Sequence, residues 1–222
     1  MVVACRLSEG KDAMPHILEK PVERYLYDLL PPRDAVLAEM EARARREDIK
    51  IVGPAVGRLL ALLVKLTGAR RIFEMGSAIG YSTIWLARAA GPRGRVHYTD
   101  GDPARLRDAR AYFRRAGVAS RVDLQLGDAV RLLLQAKGPF DIIFCDVDKH
   151  QYPAAFRAAL PRLKRGGLLI TDNVLWSGRV ARRATRDSTR AIQRFNRLIY
   201  SSPELFPVIV PLRDGVAVCR KM

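Results

Sequence analysis

The spacing of apolar residues divides the chain into a helical first third and a longer part in which strands and helices alternate. Residues 1 to about 67 are predicted to be helical, with breaks at Pro31-Pro32 and at Gly53-Pro54. Apolar residues recur there at helical spacing. The predicted helices cover residues 21–30, a segment that begins near residue 34, and residues 55–66, which are followed by Gly68.

From residue 70 onward, short apolar runs alternate with amphipathic segments. The predicted strands are residues 71–75, 95–99, 122–126, 140–145 and 167–171, and the predicted helices are residues 79–90, 103–116, 128–136, 152–163 and 188–200. Residues 208–210 and 216–218 predict an antiparallel hairpin around Asp214-Gly215. The alternation predicts an α/β fold, with an open, doubly wound, mostly parallel sheet and a C-terminal antiparallel hairpin. We therefore divide the chain into an N-terminal helical extension, residues 1–68, and a core, residues 69–222, within one compact domain overall.

Composition adds a strong positive charge to an otherwise ordinary globular chain. The 222 residues are 49% hydrophobic, and no apolar run is long enough for a membrane span, so no membrane partner is expected. Cys5, Cys145 and Cys219 lack metal-ligand spacing, and the amino terminus lacks the features of a signal peptide, which predicts a cytoplasmic protein. The net charge of +16 leaves three explanations open: a nucleic-acid partner, an anionic substrate or an Arg-rich composition.

Ligands of a doubly wound sheet bind at the carboxyl ends of its strands, so the residues after each strand carry the candidate chemistry. After the first strand, Gly76 and Gly80 permit a tight turn, but their G-x-x-x-G spacing differs from the dinucleotide-binding G-x-G-x-x-G. Asp100, after the second strand, can accept both hydroxyls of a ribose, and Asp128-Ala129, after the third, can hold an adenine edge. Capping of the helices that follow is the alternative for both aspartates, and after the second strand we assign that role mainly to Asp102 and the ribose to Asp100. Together the signals favour a nucleoside ligand without a diphosphate.

Acidic and amide side chains follow the fourth and fifth strands, which a doubly wound sheet places side by side. Asp146 ends the fourth strand, and Asp172 and Asn173 end the fifth, so their oxygens can converge on one point. Oxygen donors without Cys or His favour a hard cation such as Mg²⁺, with Ca²⁺ or Mn²⁺ as alternatives. Helix capping and ion pairing with Lys149 explain the same residues without a metal, and spacing alone leaves both explanations open.

Three stretches of the chain are diagnostic when they are taken together. They are residues 74–82 (EMGSAIGYS), residues 146–149 (DVDK) with Tyr152, and residues 172–178 (DNVLWSG). They resemble motifs of the S-adenosylmethionine (SAM)-dependent, divalent-cation-dependent O-methyltransferases, the family of catechol and caffeoyl-CoA O-methyltransferases. The resemblance covers about residues 50–222 and implies a Rossmann-like methyltransferase sheet. Ser77 stands where Thr is common in the family, and Val147 where Ala is usual.

The resemblance implies roles for individual residues. The methyl donor SAM would contact Val52, Glu74, Gly76, Ser77, Ser82, Asp100, Ala129 and Asp148, to which the adenine argument adds Asp128. Asp146, Asp172 and Asn173 match the metal ligands, and Lys149 matches the general base proposed for the catechol enzymes. A Lys149 that only pairs with Asp146 or Asp148 is the alternative. The implied function is transfer of a methyl group from SAM to a hydroxyl of a small catechol-like or vicinal-diol acceptor, assisted by the metal.

The sequence does not determine the identity of the methyl acceptor. Some bacterial relatives methylate a hydroxylated uridine of tRNA, and this chain has a basic segment: Arg179, Arg182, Arg183, Arg186, Arg190, Arg194 and Arg197. A solvated helix face is the default explanation of that segment, and RNA binding is the alternative. A non-catalytic SAM-binding module is a third hypothesis, which the intact motifs disfavour. The family usually dimerises, so we also expect a homodimer. Trp176 is a candidate wall for an aromatic acceptor, and Tyr152 is expected to be a packing residue.

Overall fold

The computed structural model describes residues 17–222, so Cys5 and the predicted helical structure before residue 17 lie outside the described residues. The helices are α1 (Lys20–Asp28), α2 (Ala35–Arg46), α3 (Gly53–Thr67), α4 (Tyr81–Ala90), α5 (Pro103–Arg115), α6 (Ala129–Gln135), α7 (Tyr152–Ala159) and α8 (Asp187–Ser201). The strands are β1 (Arg71–Met75), β2 (Arg95–Asp100), β3 (Val122–Leu126), β4 (Phe140–Cys145), β5 (Leu163–Thr171), β6 (Leu205–Val210) and β7 (Val216–Lys221). None of the helices in residues 17–222 is long and apolar enough to cross a membrane.

All seven strands form one sheet in the order β3-β2-β1-β4-β5-β7-β6. The first five strands are parallel to one another, while β7 runs antiparallel to both β5 and β6. The order reverses between β1 and β4, which is where ligands of doubly wound sheets bind. The predicted fold, a doubly wound sheet with a C-terminal antiparallel hairpin and N-terminal helices, is confirmed.

Successive residues of the central strands point to opposite faces of the sheet, so both faces are buried. Ile72 of β1 belongs to a hydrophobic cluster with residues of α2, α3, α4 and α5. Phe73, its neighbour, belongs to a second cluster with residues of α6, α7 and α8. Because α2 and α3 share the first cluster with the sheet, residues 35–67 pack as part of the core rather than as a separate unit.

The N-terminal helices differ in how firmly they are attached. The Asp34 carboxylate caps α2 by accepting from the Val36 N–H (3.1 Å) and forms an ion pair with Arg88 of α4 (2.6 Å). Helix α1, in contrast, has no buried residue, and Tyr25 and Leu29 are exposed. The expected homodimer and the cytoplasmic location stay predictions.

Some boundaries differ from the predicted ones for identifiable reasons. Helix α7 ends at Ala159 and β5 begins at Leu163, each four residues earlier than predicted. Pro161 has no backbone N–H, so the helix ends in a short 3₁₀ turn, after which Leu163 pairs with Phe140. Strand β6 begins three residues before the predicted start and includes Pro207, which an edge strand tolerates.

Candidate active site

A cavity of about 840 Å³ opens at the carboxyl ends of the parallel strands, at the point where the strand order reverses. Eight of the thirteen predicted site residues line it: Gly76, Asp100, Asp128, Ala129, Asp146, Asp148, Lys149 and Asn173. The other five are buried behind its wall: Val52, Glu74, Ser77, Ser82 and Asp172. The structure therefore brings the predicted residues into one region but places only part of them on the cavity surface.

The turn after β1 requires glycine at Gly76. Its φ is +79°, and a Cβ there would lie 2.6 Å from the carbonyl oxygen of Asp146. The Ser77 N–H donates to the Thr99 carbonyl (3.0 Å), and the Ala78 N–H donates to Asp100 Oδ2 (2.8 Å). These contacts fix the turn between the ends of β2 and β4, where Gly76 and Ala78 line the cavity.

The two aspartates after β2 have different roles. Asp102 caps α5, because its carboxylate accepts from the Ala104 N–H (2.7 Å). Asp100 lines the cavity, and its carboxylate is held by the Ala78 N–H and by the Asp102 N–H (both 2.8 Å). Burial raises the pKa of the Asp100 carboxyl above its ordinary value. Each Asp100 oxygen keeps a second acceptor position for a ligand hydroxyl.

Asp128 both caps a helix and lines the cavity. One oxygen caps α6 by accepting from the Arg131 N–H (2.8 Å), and the other accepts from the Gln151 amide (2.8 Å). Both Asp128 and Gln151 line the cavity. Gln151 was absent from the predicted site residues, and its contact with Asp128 connects the ends of β3 and β4.

Lys149 lies at the centre of the acidic cluster formed by Asp146, Asp172 and Asn173. Its ammonium donates to Asp146 Oδ1 (2.9 Å), to Asn173 Oδ1 (2.8 Å) and to the Tyr152 hydroxyl (2.8 Å). The Tyr152 hydroxyl in turn donates to the backbone carbonyl of Asp172 (2.7 Å). Tyr152 packs against Phe195, as expected, but its hydroxyl also positions Lys149. The predicted ion pair between Lys149 and Asp146 is present.

Asp172 is the most buried acid of this cluster. Both of its carboxylate oxygens are inaccessible to solvent, and neither has a well-formed hydrogen bond with another described residue. Burial and the nearby Asp146 carboxylate raise the pKa of Asp172 to about 7, while Arg213, whose Nη1 is 3.6 Å from Asp172 Oδ2, opposes the rise. Burial also raises the pKa of Asp146. Two carboxylates with raised pKa values therefore lie beside one cavity.

The acidic cluster fits a divalent cation only if the Asn173 amide oxygen takes part. Within residues 17–222, His, Cys, Asp and Glu side chains do not gather in groups of three that could hold a metal by themselves. Asp146 and Asp172 supply two carboxylates, and Asn173 adds a third oxygen donor on the same side of the sheet. Within residues 17–222, the buried oxygens of Asp172 have no hydrogen-bond donor, and the Arg213 guanidinium is 3.6 Å away. This is the observation that favours a cation here, because a buried carboxylate without hydrogen bonds is costly.

Trp176 forms a wall of the cavity in a strained segment. Trp176 and Ser177 both have positive φ, +48° and +51°, followed by Gly178 at +72°. The Trp176 ring contacts two cations: Lys149 Nζ lies 5.9 Å from its centroid, and the Arg179 guanidinium carbon lies 5.1 Å from it. Such strain is often found where a side chain is held for function.

Glu74 provides a prediction about stability. It is fully buried on β1, and burial raises its pKa to about 7, against the opposing effect of hydroxyl donors such as Thr83. The folded state therefore holds a proton that the unfolded state releases near pH ~4.3, so stability should fall as pH rises from about 4.5 to 7. Glu74→Gln should remove about 3 kcal/mol of that decline.

Urea unfolding of wild type and Glu74→Gln at about pH 5 and about pH 8 measures this difference. Glu204→Gln is the matched control, because Glu204 is exposed and 4.0 Å from its nearest cation, Lys221. Parallel pH dependences of wild type and Glu74→Gln would show that Glu74 is ionised throughout and would contradict the prediction.

Arg213 is the cavity residue that the sequence reasoning missed most clearly. It lies in the turn between β6 and β7 and reaches the acidic cluster. The Asp214-Gly215 signal identified the turn, but the direction of the preceding side chain depends on the backbone conformation of Arg213, whose φ is +54°. Lys50 and Ile51 also line the cavity, next to the predicted Val52, which is buried.

Comparisons with known proteins point to one enzyme family. Residues 33–222 match the profile of the O-methyltransferase family. A catechol O-methyltransferase of Niastella koreensis is 37% identical over 209 residues, which cover 89% of this chain and 95% of that protein.

Solved structures resemble the whole fold. An O-methyltransferase from Bacillus cereus, in complex with SAH, is 33% identical with a TM-score of 0.83, covering 91% of this chain and 97% of that one. TomG from Streptomyces achromogenes, an O-methyltransferase involved in tomaymycin synthesis and solved with SAM, is 29% identical with a TM-score of 0.83, covering 91% and 96%. The profile match and the identity over most of both chains, together with the doubly wound sheet, show that this chain belongs to the O-methyltransferase family.

Proposed function

We propose that this O-methyltransferase transfers the methyl group of SAM to one hydroxyl of a small catechol-like or vicinal-diol acceptor. A divalent cation assists the transfer, and Mg²⁺ is the first candidate. The observation that carries the proposal is the buried carboxylate of Asp172, which has no hydrogen-bond donor among residues 17–222. It follows β5 beside Asn173, and both Asn173 and Asp146 line the cavity. The relatives named as catechol O-methyltransferase and the structures with SAM or SAH support the same conclusion.

The donor side of the cavity suits a nucleoside with a short chain. Asp100 offers acceptors for two ribose hydroxyls, and Asp128-Ala129 lie at the end of β3, where an adenine would be held. Gly76, in the turn after β1, lines the cavity, and glycine is required there because any Cβ would collide with the Asp146 carbonyl. Glu74, Ser77 and Ser82 are buried behind that turn and support it. We assign SAM to this half of the cavity.

The acceptor side contains Lys149, Trp176, Asp146 and Asn173, with Asp172 buried behind them. A divalent cation held by Asp146, Asp172 and Asn173 would lower the pKa of a hydroxyl bound to it. In its neutral amine form Lys149 would accept the hydroxyl proton and become an ammonium, and its Nζ lies among the oxygens of this cluster, next to the Tyr152 hydroxyl. Trp176 would flank an aromatic ring and restrict water.

Methyl transfer itself tests the function. Purified protein with radiolabelled SAM should methylate catechol in the presence of Mg²⁺, and activity should fall by at least about a hundredfold in excess EDTA, because a bound cation can provide several kcal/mol. Full activity in EDTA would exclude the cation from the proposal. Tight SAH binding without turnover on catechol or on RNA would favour the non-catalytic module.

The basic segment after Trp176 favours a second acceptor class, RNA. Arg182, Arg183, Arg186, Arg194 and Arg197 are exposed, and Arg190 forms an ion pair with Asp187, three residues before it. A tRNA pool in the same assay separates the two classes. Label in RNA that declines steeply with added salt would indicate phosphate contacts and a hydroxyuridine-type acceptor, whereas weak salt dependence with catechol favours the small molecule.

A further inference from the structure

A second cavity, of about 370 Å³, adjoins the first one beneath the N-terminal helices. Its lining includes Tyr27 of α1, Ala44 and Arg45 of α2, residues 48–51, and Gly53-Pro54. Lys50, Ile51 and Arg213 line both cavities, so the two spaces meet at these three residues. An acceptor bound against Lys149 therefore has room to extend past Arg213 into the second cavity.

The residues that line the second cavity include more cations than acids. Four cations line it, Arg33, Arg45, Lys50 and Arg213, against two acids, Glu41 and Asp48. Arg33 is fully engaged by Glu41 (2.9 and 3.0 Å), and Lys50 pairs with Asp48. Within residues 17–222, Arg45 and Arg213 have no hydrogen-bonded acid, and the 3.6 Å between Arg213 and Asp172 exceeds a hydrogen bond.

The backbone holds Arg213 at the junction of the two cavities at a conformational cost. The N–H groups of Val174 and Leu175 donate to the carbonyls of Gly215 and Asp214 (both 3.0 Å), and the Ser177 N–H donates to the Asp214 carboxylate. Three contacts thus tie the β6–β7 turn to the loop after β5. Arg213 has a φ of +54°, a conformation that disfavours a long side chain. The turn would tolerate glycine more easily than arginine.

We propose that Arg213 is a specificity-determining residue that selects acceptors bearing a carboxylate and pairs with that carboxylate at the entrance of the second cavity. The inference rests on the proposed function, since the acceptor hydroxyl must lie at Lys149. A guanidinium is suited to this role because it binds a carboxylate through two parallel hydrogen bonds. Arg45, which is exposed on the same cavity, adds a second positive charge. A counter-ion for Asp172 is the competing structural role.

Two acceptors that differ by one carboxylate test the proposal: catechol and its ring carboxylate, protocatechuate. We expect the kcat/KM of wild type to be higher for protocatechuate than for catechol. Arg213→Gly should lower the ratio of these two kcat/KM values by about tenfold or more, as expected for the loss of a charged hydrogen bond. Arg213→Lys should keep part of the preference because the charge remains. Arg58→Gln, at an exposed position on α3, is the matched control and should leave the ratio unchanged.

Binding and stability separate this role from a structural one. Calorimetric titration of protocatechuate into the SAH-loaded protein should show the same loss of affinity in Arg213→Gly. The thermal midpoint of that variant should not fall, because glycine relieves the positive φ. If Arg213→Gly has an unchanged ratio of kcat/KM values and a lowered thermal midpoint, Arg213 serves as the counter-ion of Asp172, and the proposal is overturned. If wild type methylates neither acceptor, the proposed function fails, and the binding titration still decides whether Arg213 recognises the carboxylate.

Discussion

Asp172→Ala is expected to abolish cation-stimulated methyl transfer while SAH binding persists. The variant removes a buried carboxylate whose two oxygens have no well-formed hydrogen bond within residues 17–222. It therefore loses the contact to the cation, together with the 3.6 Å ion pair to Arg213. We expect kcat/KM for catechol in Mg²⁺ to fall on the order of 10³-fold, since a bound cation supplies several kcal/mol of transition-state stabilisation. The donor half of the cavity, around Asp100 and Gly76, is untouched.

Three measurements distinguish this result from general damage to the fold. Calorimetry with SAH reports the donor site, calorimetry with Mg²⁺ reports the cation, and Asp172→Asn keeps the shape of the side chain while removing its charge. Asp123→Ala is the matched control, because Asp123 is exposed on β3 and pairs with His97 away from the cavity. If Asp172→Ala has the activity of wild type, and neither Mg²⁺ nor EDTA changes it, Asp172 is not a ligand of a catalytic cation.

Lys149→Met is expected to reduce kcat by about 10²- to 10⁴-fold, the range typical of a lost general base. The remaining activity should rise with pH, as the acceptor hydroxyl ionises without help from the protein. Binding of Mg²⁺ should become tighter, because the ammonium that now bridges Asp146 and Asn173 no longer competes for their oxygens. A purely structural Lys149 predicts neither the altered pH profile nor the tighter binding.

The matched control for Lys149→Met is Lys164→Met, since Lys164 pairs with an aspartate, Asp141, at 2.6 Å on the surface. Lys149→Arg keeps the positive charge, but its guanidinium stays protonated and cannot accept a proton, so the variant should fold well and remain slow. A kcat of Lys149→Met within a few-fold of wild type, with an unchanged pH profile, would contradict the role of base.

The local pattern of the chain determined the order of the elements and the edge of the sheet at which chemistry occurs. The near-continuous apolar runs of β1 and β4, which are buried at almost every position, and the helical spacing between strands require a sheet covered on both faces. Because parallel strands end on the same side, Asp100, Asp128, Asp146 and Asn173 could be placed together without knowledge of any contact. The separation of Asp102 as a cap from Asp100 as a cavity residue also follows from local rules.

The tertiary structure alone decided which side chains meet. Lys149 and Asn173 are 24 positions apart, and their contact depends on β4 and β5 being neighbours in register. Arg213 reaches Asp172 because β7 is inserted between β5 and β6 and because its φ is positive. A turn signal in the sequence fixes neither the strand order nor the sign of φ at a non-glycine residue. Local preferences act over a few residues, whereas the charge balance of the cavities is set by contacts across the whole sheet.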